Sequence, residues 1–113
     1  MKKKYLIVIA DYYKDVAKGL LDSALKVITI KNTIKIIRVP GVFEIPVTIS
    51  KNIKKYDGFL ALGCVIKGET PHFDLICNAT FNAILKLSID FNKPIGNGII
   101  TALNMSQAIN RSK

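Results

Sequence analysis

The stretch YLIVIA, residues 5 to 10, decides the fold of this chain. Strands with one solvent-facing side alternate apolar and polar residues, whereas this run is continuously apolar, as in a strand covered on both faces. Such a strand belongs in the interior of a parallel sheet. The lysines before it give the start of the chain some likeness to a secretory signal. The run ends at Asp11 without a small-residue cleavage site, however, which favours the buried strand.

Strand-like and helix-like segments alternate along the rest of the chain. Apolar and β-branched runs predict three more strands, at residues 34–39, 59–66 and 94–101. Apolar residues at helical spacing predict helices within residues 16–25, 45–53 and 73–87, the second with Pro46 in its first turn. Asn104 and Gln107 have the spacing of a capping box, which predicts a last short helix.

Four strand–helix units predict one α/β domain over residues 1–113. Its architecture is a three-layer fold, in which a four-stranded parallel sheet with right-handed crossovers is flanked by helices on both faces. A chain of 113 residues is long enough for one core but not for two. Its apolar runs are far too short to span a bilayer.

The net charge of +9 raises the question of an anionic partner, such as nucleic acid, a membrane surface or a phosphorylated substrate. The alternative is codon usage, because Lys outnumbers Arg by 15 to 2 and Ile and Asn are abundant, as an AT-rich genome would give. The lysines are scattered and no aromatic stripe interleaves them. This pattern favours codon usage, and we expect neither nucleic acid nor a membrane as partner.

The two cysteines, Cys64 and Cys77, are not a C-x-x-C pair and define no disulfide framework. Reduced thiols in a cytoplasmic protein are the default for such a chain. Zinc is not expected, because two cysteines and one histidine at these spacings match no common ligand pattern.

Unusual residues cluster where the predicted strands end. Parallel α/β sheets bind ligands outside the carboxyl ends of their strands. Polar, glycine or proline residues follow or lie within the predicted strands there, at residues 11–13, 40–46, 67–72 and 96–98. The sequence therefore predicts a ligand site at this edge of the sheet.

The segment KGETPH, residues 67 to 72, contains the only histidine of the chain. Thr70 is suited to cap a helix, Pro71 to its first position, and His72 to its first turn, while Gly68 lets the backbone approach a ligand. Free N–H groups at a helix start bind phosphate or carboxylate, and an imidazole beside them could transfer protons. Spacing alone fits equally well a capping loop with an inactive surface histidine.

Three other residues each admit two interpretations. Glu44 would either stabilise the start of a helix or accept hydrogen bonds from ligand hydroxyls. Tyr12 would either stack on a flat ring or serve in packing. Cys64 lies in a buried strand, where it is more often an inert small hydrophobe than a nucleophile.

Three segments together resemble the 6,7-dimethyl-8-ribityllumazine synthase family, in a form shortened at the C-terminus. They are VPGVFEIP at residues 39–46, ALGCVIKGETPHFD at 61–74 and PIGNGIITALNMSQAINRS at 94–112. The resemblance implies a flavodoxin-like fold and a transferase of riboflavin biosynthesis. That enzyme condenses 5-amino-6-(D-ribitylamino)uracil with 3,4-dihydroxy-2-butanone 4-phosphate to the lumazine, releasing phosphate and water without metal or cofactor. The alternatives are a non-catalytic flavodoxin-like binding module or inactive family member, and a basic nucleic-acid-binding protein.

The resemblance also implies how the pyrimidine substrate is bound. Tyr12 takes the position of an aromatic residue that stacks on the ring. The ring and the ribityl chain would be held by Val42, Phe43 and Glu44, with Glu44 accepting from hydroxyls. The ring edge would be read by the backbone of Cys64, Val65 and Ile66.

The phosphate side of the site follows from the same resemblance. Glu69 and Thr70 take the position of the phosphate-binding turn, and Arg111 that of an arginine paired with the phosphate. His72 takes the position of the proton-transfer histidine and is the one catalytic residue. Asn97 stands where the family often has a Phe contributed by a neighbouring subunit.

The resemblance further implies assembly. Family members form pentamers, some of which build an icosahedral shell, and their active sites lie between adjacent subunits. We therefore expect a homo-oligomer, with the pentamer favoured. A shell and an association with riboflavin synthase are left open.

Overall fold

The computed structural model describes residues 3–27, 33–67 and 72–112. Four strands form one parallel sheet in the order β2-β1-β3-β4. They are β1 at Lys4–Ala10, β2 at Thr33–Val39, β3 at Gly58–Ile66 and β4 at Ile95–Ala102. Each predicted strand is present with its ends displaced by no more than one residue.

Helices cover both faces of the sheet, as predicted. They are α1 at Lys14–Val27, α2 at Ile45–Asn52, α3 at His72–Phe91 and α4 at Met105–Arg111, with a 3-10 turn at Val42–Glu44 before α2. Side chains of α2 and α3 share one core with the sheet, and those of α1 and α4 share the other. The three-layer architecture and the strand order are those of the flavodoxin-like fold. Within the part of the chain that is described, no helix is both long and apolar enough to cross a membrane.

Strand β1 holds the two cores together. Its residues from Leu6 to Ala10 are all buried, because β2 and β3 flank it and a helical layer covers each face. Leu6 and Val8 enter the core on the α2 and α3 side, whereas Ile7 and Ile9 enter the core on the α1 and α4 side. Successive residues of the continuous apolar run thus point to opposite faces of the sheet, as in any strand, and both faces are buried.

The helix starts follow the local sequence. Asn104 caps α4, its side-chain oxygen accepting a hydrogen bond of 2.9 Å from the Gln107 amide. The Gln107 side chain in turn accepts a 3.0 Å bond from the backbone of Leu103, one residue before the usual capping-box donor. Pro46 lies in the first turn of α2, where its missing N–H costs nothing. Both predicted helix starts are confirmed.

Lys93 ties the segment before β4 to the end of α2. Its half-buried ammonium donates to the carbonyl of Ile53 at 2.5 Å and to that of Tyr56 at 2.8 Å. These carbonyls follow the last turn of α2, where a cation is also favoured by the helix dipole. The contact joins segments that lie 37 and 40 residues apart in the chain.

We expect Lys93→Met to lower the free energy of unfolding by about 1–3 kcal/mol, because methionine keeps the side-chain length but cannot donate to the two carbonyls. Urea denaturation at one fixed protein concentration measures this loss. The control is Lys86→Met, which removes only an exposed ion pair with Asp90 of 3.1 Å and should cost less than about 0.5 kcal/mol. Equal losses in both variants would contradict the assigned role of Lys93.

Candidate functional site

A cleft of about 360 Å³ opens at the carboxyl end of the sheet, between the ends of β1 and β3. The helix after β1 packs on one face of the sheet and the helix after β3 on the other, so the two connections diverge and leave a crevice. The volume lies within the range of small-molecule sites. The lining residues come from all three neighbouring segments: Ala10, Tyr12, Tyr13, Gly41, Val42, Cys64, Val65, Ile66, Phe73 and Ile76.

Strand β3 extends past its neighbour β1 at the carboxyl edge of the sheet. Pairing with β1 ends at Ile9 and Leu62, whereas β3 continues to Ile66. Its last four residues therefore pair only with β4. The backbone edge of β3 that faces away from β4 lines the cleft there, so backbone donors and acceptors are presented to a ligand.

Five residues that the sequence analysis assigned to the pyrimidine lie together in this cleft: Tyr12, Val42, Cys64, Val65 and Ile66. Val42 and Cys64 are buried at its base, whereas Tyr12 is 74% exposed at its mouth. The structure thus brings together segments that are more than 50 residues apart in the sequence.

Glu44 lies beside the cleft and is exposed. It occupies the position before α2, yet its side chain makes no capping hydrogen bond. Its carboxylate instead lies over Gly41, with one oxygen 3.3 Å from where a Cβ of that residue would be. Because Gly41 lines the cleft, the carboxylate lies at the rim, where a ligand hydroxyl or amine could reach it.

Phe43 is separated from its neighbour Val42. It lines a second cleft of about 220 Å³ between α2 and α3, together with Val47 and Thr80. Successive side chains of a 3-10 turn point about 120° apart, which sends Val42 to the sheet and Phe43 away from it. The structure therefore does not bring Phe43 into the main cleft of its own chain.

Asn97 and Arg111 also lie outside the main cleft. Asn97 is exposed on the edge strand β4, opposite Ala61 in register, and its side chain accepts a 3.0 Å hydrogen bond from the Ile99 amide. The exposed Arg111 guanidinium donates to the Thr101 carbonyl near the end of β4. Arg111 is thus at the same edge of the sheet as the cleft but does not line it.

The predicted phosphate turn lies outside the described residues, which omit 68–71 and hence Gly68, Glu69, Thr70 and Pro71. Lys67 just before it donates a 2.8 Å backbone hydrogen bond to Ala102. His72 is the first residue of α3, at the helix start where the sequence predicted it, and its side chain is likewise outside the description.

Burial favours the neutral forms of two titratable groups of the cleft, Cys64 and Tyr13. Desolvation raises the pKa of the Cys64 thiol, which agrees with an inert small hydrophobe and not with a nucleophile. Desolvation, followed by the nearby Tyr12 and Cys64, raises the pKa of the Tyr13 phenol. The pKa of Cys77 is raised by burial and by Asp74, and both cysteines are free thiols.

The sequence assigned no binding role to three of the lining residues, Tyr13, Phe73 and Ile76, although Tyr13 belongs to the segment 11–13 predicted to lie at the ligand edge. Phe73 and Ile76 were assigned to the apolar stripe of α3, and the first turns of that stripe border the cleft. The sequence indication for Tyr13 as a lining residue was its position next to Tyr12, just after β1.

Gly63 shapes the base of the cleft. A Cβ at this position of β3 would lie 2.7 Å from Cγ1 of Val42 and 3.2 Å from Cβ of Ala10. Only glycine therefore lets Val42 pack directly against the sheet beneath the cleft.

The fold and the switch-point cleft define a flavodoxin-like α/β protein with a small-molecule site. Residues 2–113 match the family profile described as 6,7-dimethyl-8-ribityllumazine synthase. A protein of that name from Bartonella henselae is 43% identical over 117 residues, which cover 99% of this chain and 76% of the relative. One from Agrobacterium fabrum is 40% identical over 117 residues, covering 96% and 79%. The chain belongs to the 6,7-dimethyl-8-ribityllumazine synthase family of enzymes, as the resemblance indicated.

We expect Gly63→Ala to destabilise the protein by about 1–3 kcal/mol, because the added methyl overpacks the site against Val42 and Ala10. The measurement is chemical denaturation at fixed protein concentration. Gly96→Ala on β4 is the matched control, since its Cβ would meet mainly the flexible end of Leu60, at 3.0 Å. That variant should lose less than about 1 kcal/mol. If the two substitutions were equally tolerated, close packing of Val42 on the sheet would not be what Gly63 provides.

Proposed function

We propose that this chain catalyses the condensation of 5-amino-6-(D-ribitylamino)uracil with 3,4-dihydroxy-2-butanone 4-phosphate. The products are 6,7-dimethyl-8-ribityllumazine, phosphate and water, within riboflavin biosynthesis. The observation that carries the proposal is the cleft beside the free end of β3. It gathers Tyr12, Val42 and the overhanging strand end into one site of suitable size, in a chain of this family.

The pyrimidine ring is proposed to lie between Tyr12 and the end of β3. An aromatic face at the mouth offers stacking, and the unpaired backbone edge of Cys64, Val65 and Ile66 offers hydrogen bonds to the ring edge. Glu44 at the rim would accept from the ribityl hydroxyls. These contacts orient a flat, polar molecule without placing a charge inside the apolar base of the cleft.

The phosphorylated ketone is proposed to bind where β3 passes into α3. Glu69 and Thr70 lie between these two elements in the sequence, and Arg111 lies at the same edge of the sheet, on the Thr101 carbonyl. A guanidinium offers paired donors to a phosphate. The imine between the substrate amine and the ketone forms with loss of water, and His72 would transfer protons as the phosphate leaves. Orientation of two bound reactants supplies much of the rate in such a reaction.

Assembly is part of the proposal, because Asn97 and Phe43 do not line the cleft of their own chain. Several large apolar side chains are more than half exposed, on the outer side of α3 and beside α2: Leu75, Leu85, Ile89, Phe43 and Val47. Among the described residues, the buried Thr80 hydroxyl has no hydrogen-bond partner, and it lines the cleft between these helices. Such surfaces are typical of subunit contacts.

We propose a homopentamer, placed in the cytoplasm, with riboflavin synthase as a partner that would use its product.

Light scattering on the purified protein should give a particle of about five times the subunit mass of 12.5 kDa. A far larger particle would indicate a closed shell. Ile89→Glu should reduce the mass at micromolar concentration, because it places a charge in an apolar contact. Leu25→Glu, at an exposed leucine on α1, should leave the mass unchanged. A stable monomer with full activity would overturn the proposed assembly.

The activity itself is tested by mixing the protein with both substrates and following lumazine absorbance and phosphate release, which should rise together. Arg111→Ala should weaken use of the phosphorylated ketone about thirty- to hundredfold, since a charge-assisted contact is worth about 2–3 kcal/mol. The Michaelis constant for the pyrimidine should barely change. Binding of both substrates without turnover in the unmodified protein would indicate a non-catalytic binding module instead.

His72→Ala is the contrasting variant in the same assay. Loss of a proton-transfer group should lower kcat about 100-fold, while both Michaelis constants stay within about twofold. If His72→Ala left kcat untouched across the pH range and Arg111→Ala weakened both substrates equally, the division of roles would be wrong even for an active enzyme.

A further inference from the structure

Tyr13 follows Tyr12 in the chain, but the two side chains differ in how far they are buried. Tyr12 is 74% exposed at the mouth of the main cleft. Tyr13 is half-buried and packs against the core shared by α1 and α4. An exposed aromatic side chain with few neighbours retains rotamer freedom, which a stacked ligand must then remove at a cost in affinity.

The two rings are in contact. Their centroids are 4.9 Å apart and their planes meet at 86°, an edge-to-face arrangement. This geometry is favourable for aromatic pairs and worth more than the area that it buries. Tyr13 lines the main cleft together with Tyr12, so the contact is at the site and not on a remote surface.

Tyr13 is held by a backbone hydrogen bond and by packing of its side chain. Its carbonyl accepts a 2.9 Å hydrogen bond from the Ala17 amide, which makes it part of the start of α1. Its side chain packs on the α1 and α4 core, and a shallow depression that it lines also includes Met105 and Ile109 of α4. Tyr13 therefore connects the core shared by α1 and α4 to the exposed Tyr12 ring.

We infer that Tyr13 is a positioning residue, whose anchored ring holds the Tyr12 ring in the orientation that stacks on the pyrimidine. The inference rests on the proposed function for the identity of the ligand, but the pairing of the two rings does not. It gives the core shared by α1 and α4 a part in the site, because the Tyr13 side chain packs against that core. The neutral Tyr13 phenol adds no charge to the cleft.

The decisive comparison is between Tyr13→Phe and Tyr13→Leu. Phenylalanine keeps the ring and its edge-to-face contact, whereas leucine keeps an apolar anchor in the core but no ring. Affinity for 5-amino-6-(D-ribitylamino)uracil, measured by calorimetry, should stay within about twofold of the unmodified protein for Tyr13→Phe. It should fall about two- to tenfold for Tyr13→Leu, the range of an aromatic pair. The Michaelis constant for the phosphorylated ketone should not change in either variant.

A double-mutant cycle separates positioning from general structural damage. In a Tyr12→Leu background, Tyr13→Leu should cause no further loss of affinity, because there is no ring left to orient. An equal loss in both backgrounds would overturn the inference, as would a Tyr13→Leu variant that binds the pyrimidine like the unmodified protein. Thermal unfolding of each variant identifies any loss that reflects instability alone.

A measurement without ligand keeps this inference distinct from the proposed function. The chain has no tryptophan, so Tyr12→Trp introduces a single tryptophan at the cleft mouth, which can be excited selectively over the tyrosines. Its fluorescence anisotropy should fall when Tyr13→Leu is added and should be retained with Tyr13→Phe. If the unmodified protein fails to bind the pyrimidine, the proposed function fails. If the anisotropy is the same in all three proteins, the positioning role fails.

Discussion

Burial of β1 on both faces is the constraint on which the rest of this structure depends. Leu6 and Val8 contribute to one core while Ile7 and Ile9 contribute to the other. A strand with that requirement needs a sheet neighbour on each side and a helical layer on each face. The alternation of strands and helices along the chain provides both. A shift of β1 by one residue would exchange its contributions to the two cores, so the register is determined by how these side chains pack in each core.

The cleft is a by-product of the same arrangement. Because β1 and β3 are neighbours whose following helices cover opposite faces, their connections must separate at the carboxyl edge of the sheet. The greater length of β3 then leaves its last four residues paired with β4 alone. Gly63 lets Val42 close the base of this space. The cleft itself therefore needs no element beyond those that satisfy the two cores.

Charge is distributed so that the base of the cleft stays neutral. Burial raises the pKa values of Cys64 and Tyr13, which keeps the thiol and the phenol protonated. The charged groups, Glu44 and Arg111, are exposed at or near the same edge of the sheet. An apolar base with polar groups near its margin is typical of small-molecule sites. That distribution is consistent with a reaction in which relative placement of two substrates contributes much of the rate.

The sequence by itself determined the elements, and the tertiary structure decided which side chains meet. Strand positions could be predicted to within one residue, and the cap at Asn104 and the place of Pro46 could be predicted too, because periodicity, capping and proline geometry are local properties. The carboxyl edge of the sheet as the ligand side also followed from the alternation of elements. The separation of Val42 from Phe43 and the contact of Tyr13 with Tyr12 could not be predicted. These depend on the direction of side chains in a turn and on how far two strands pair, which packing between distant segments determines.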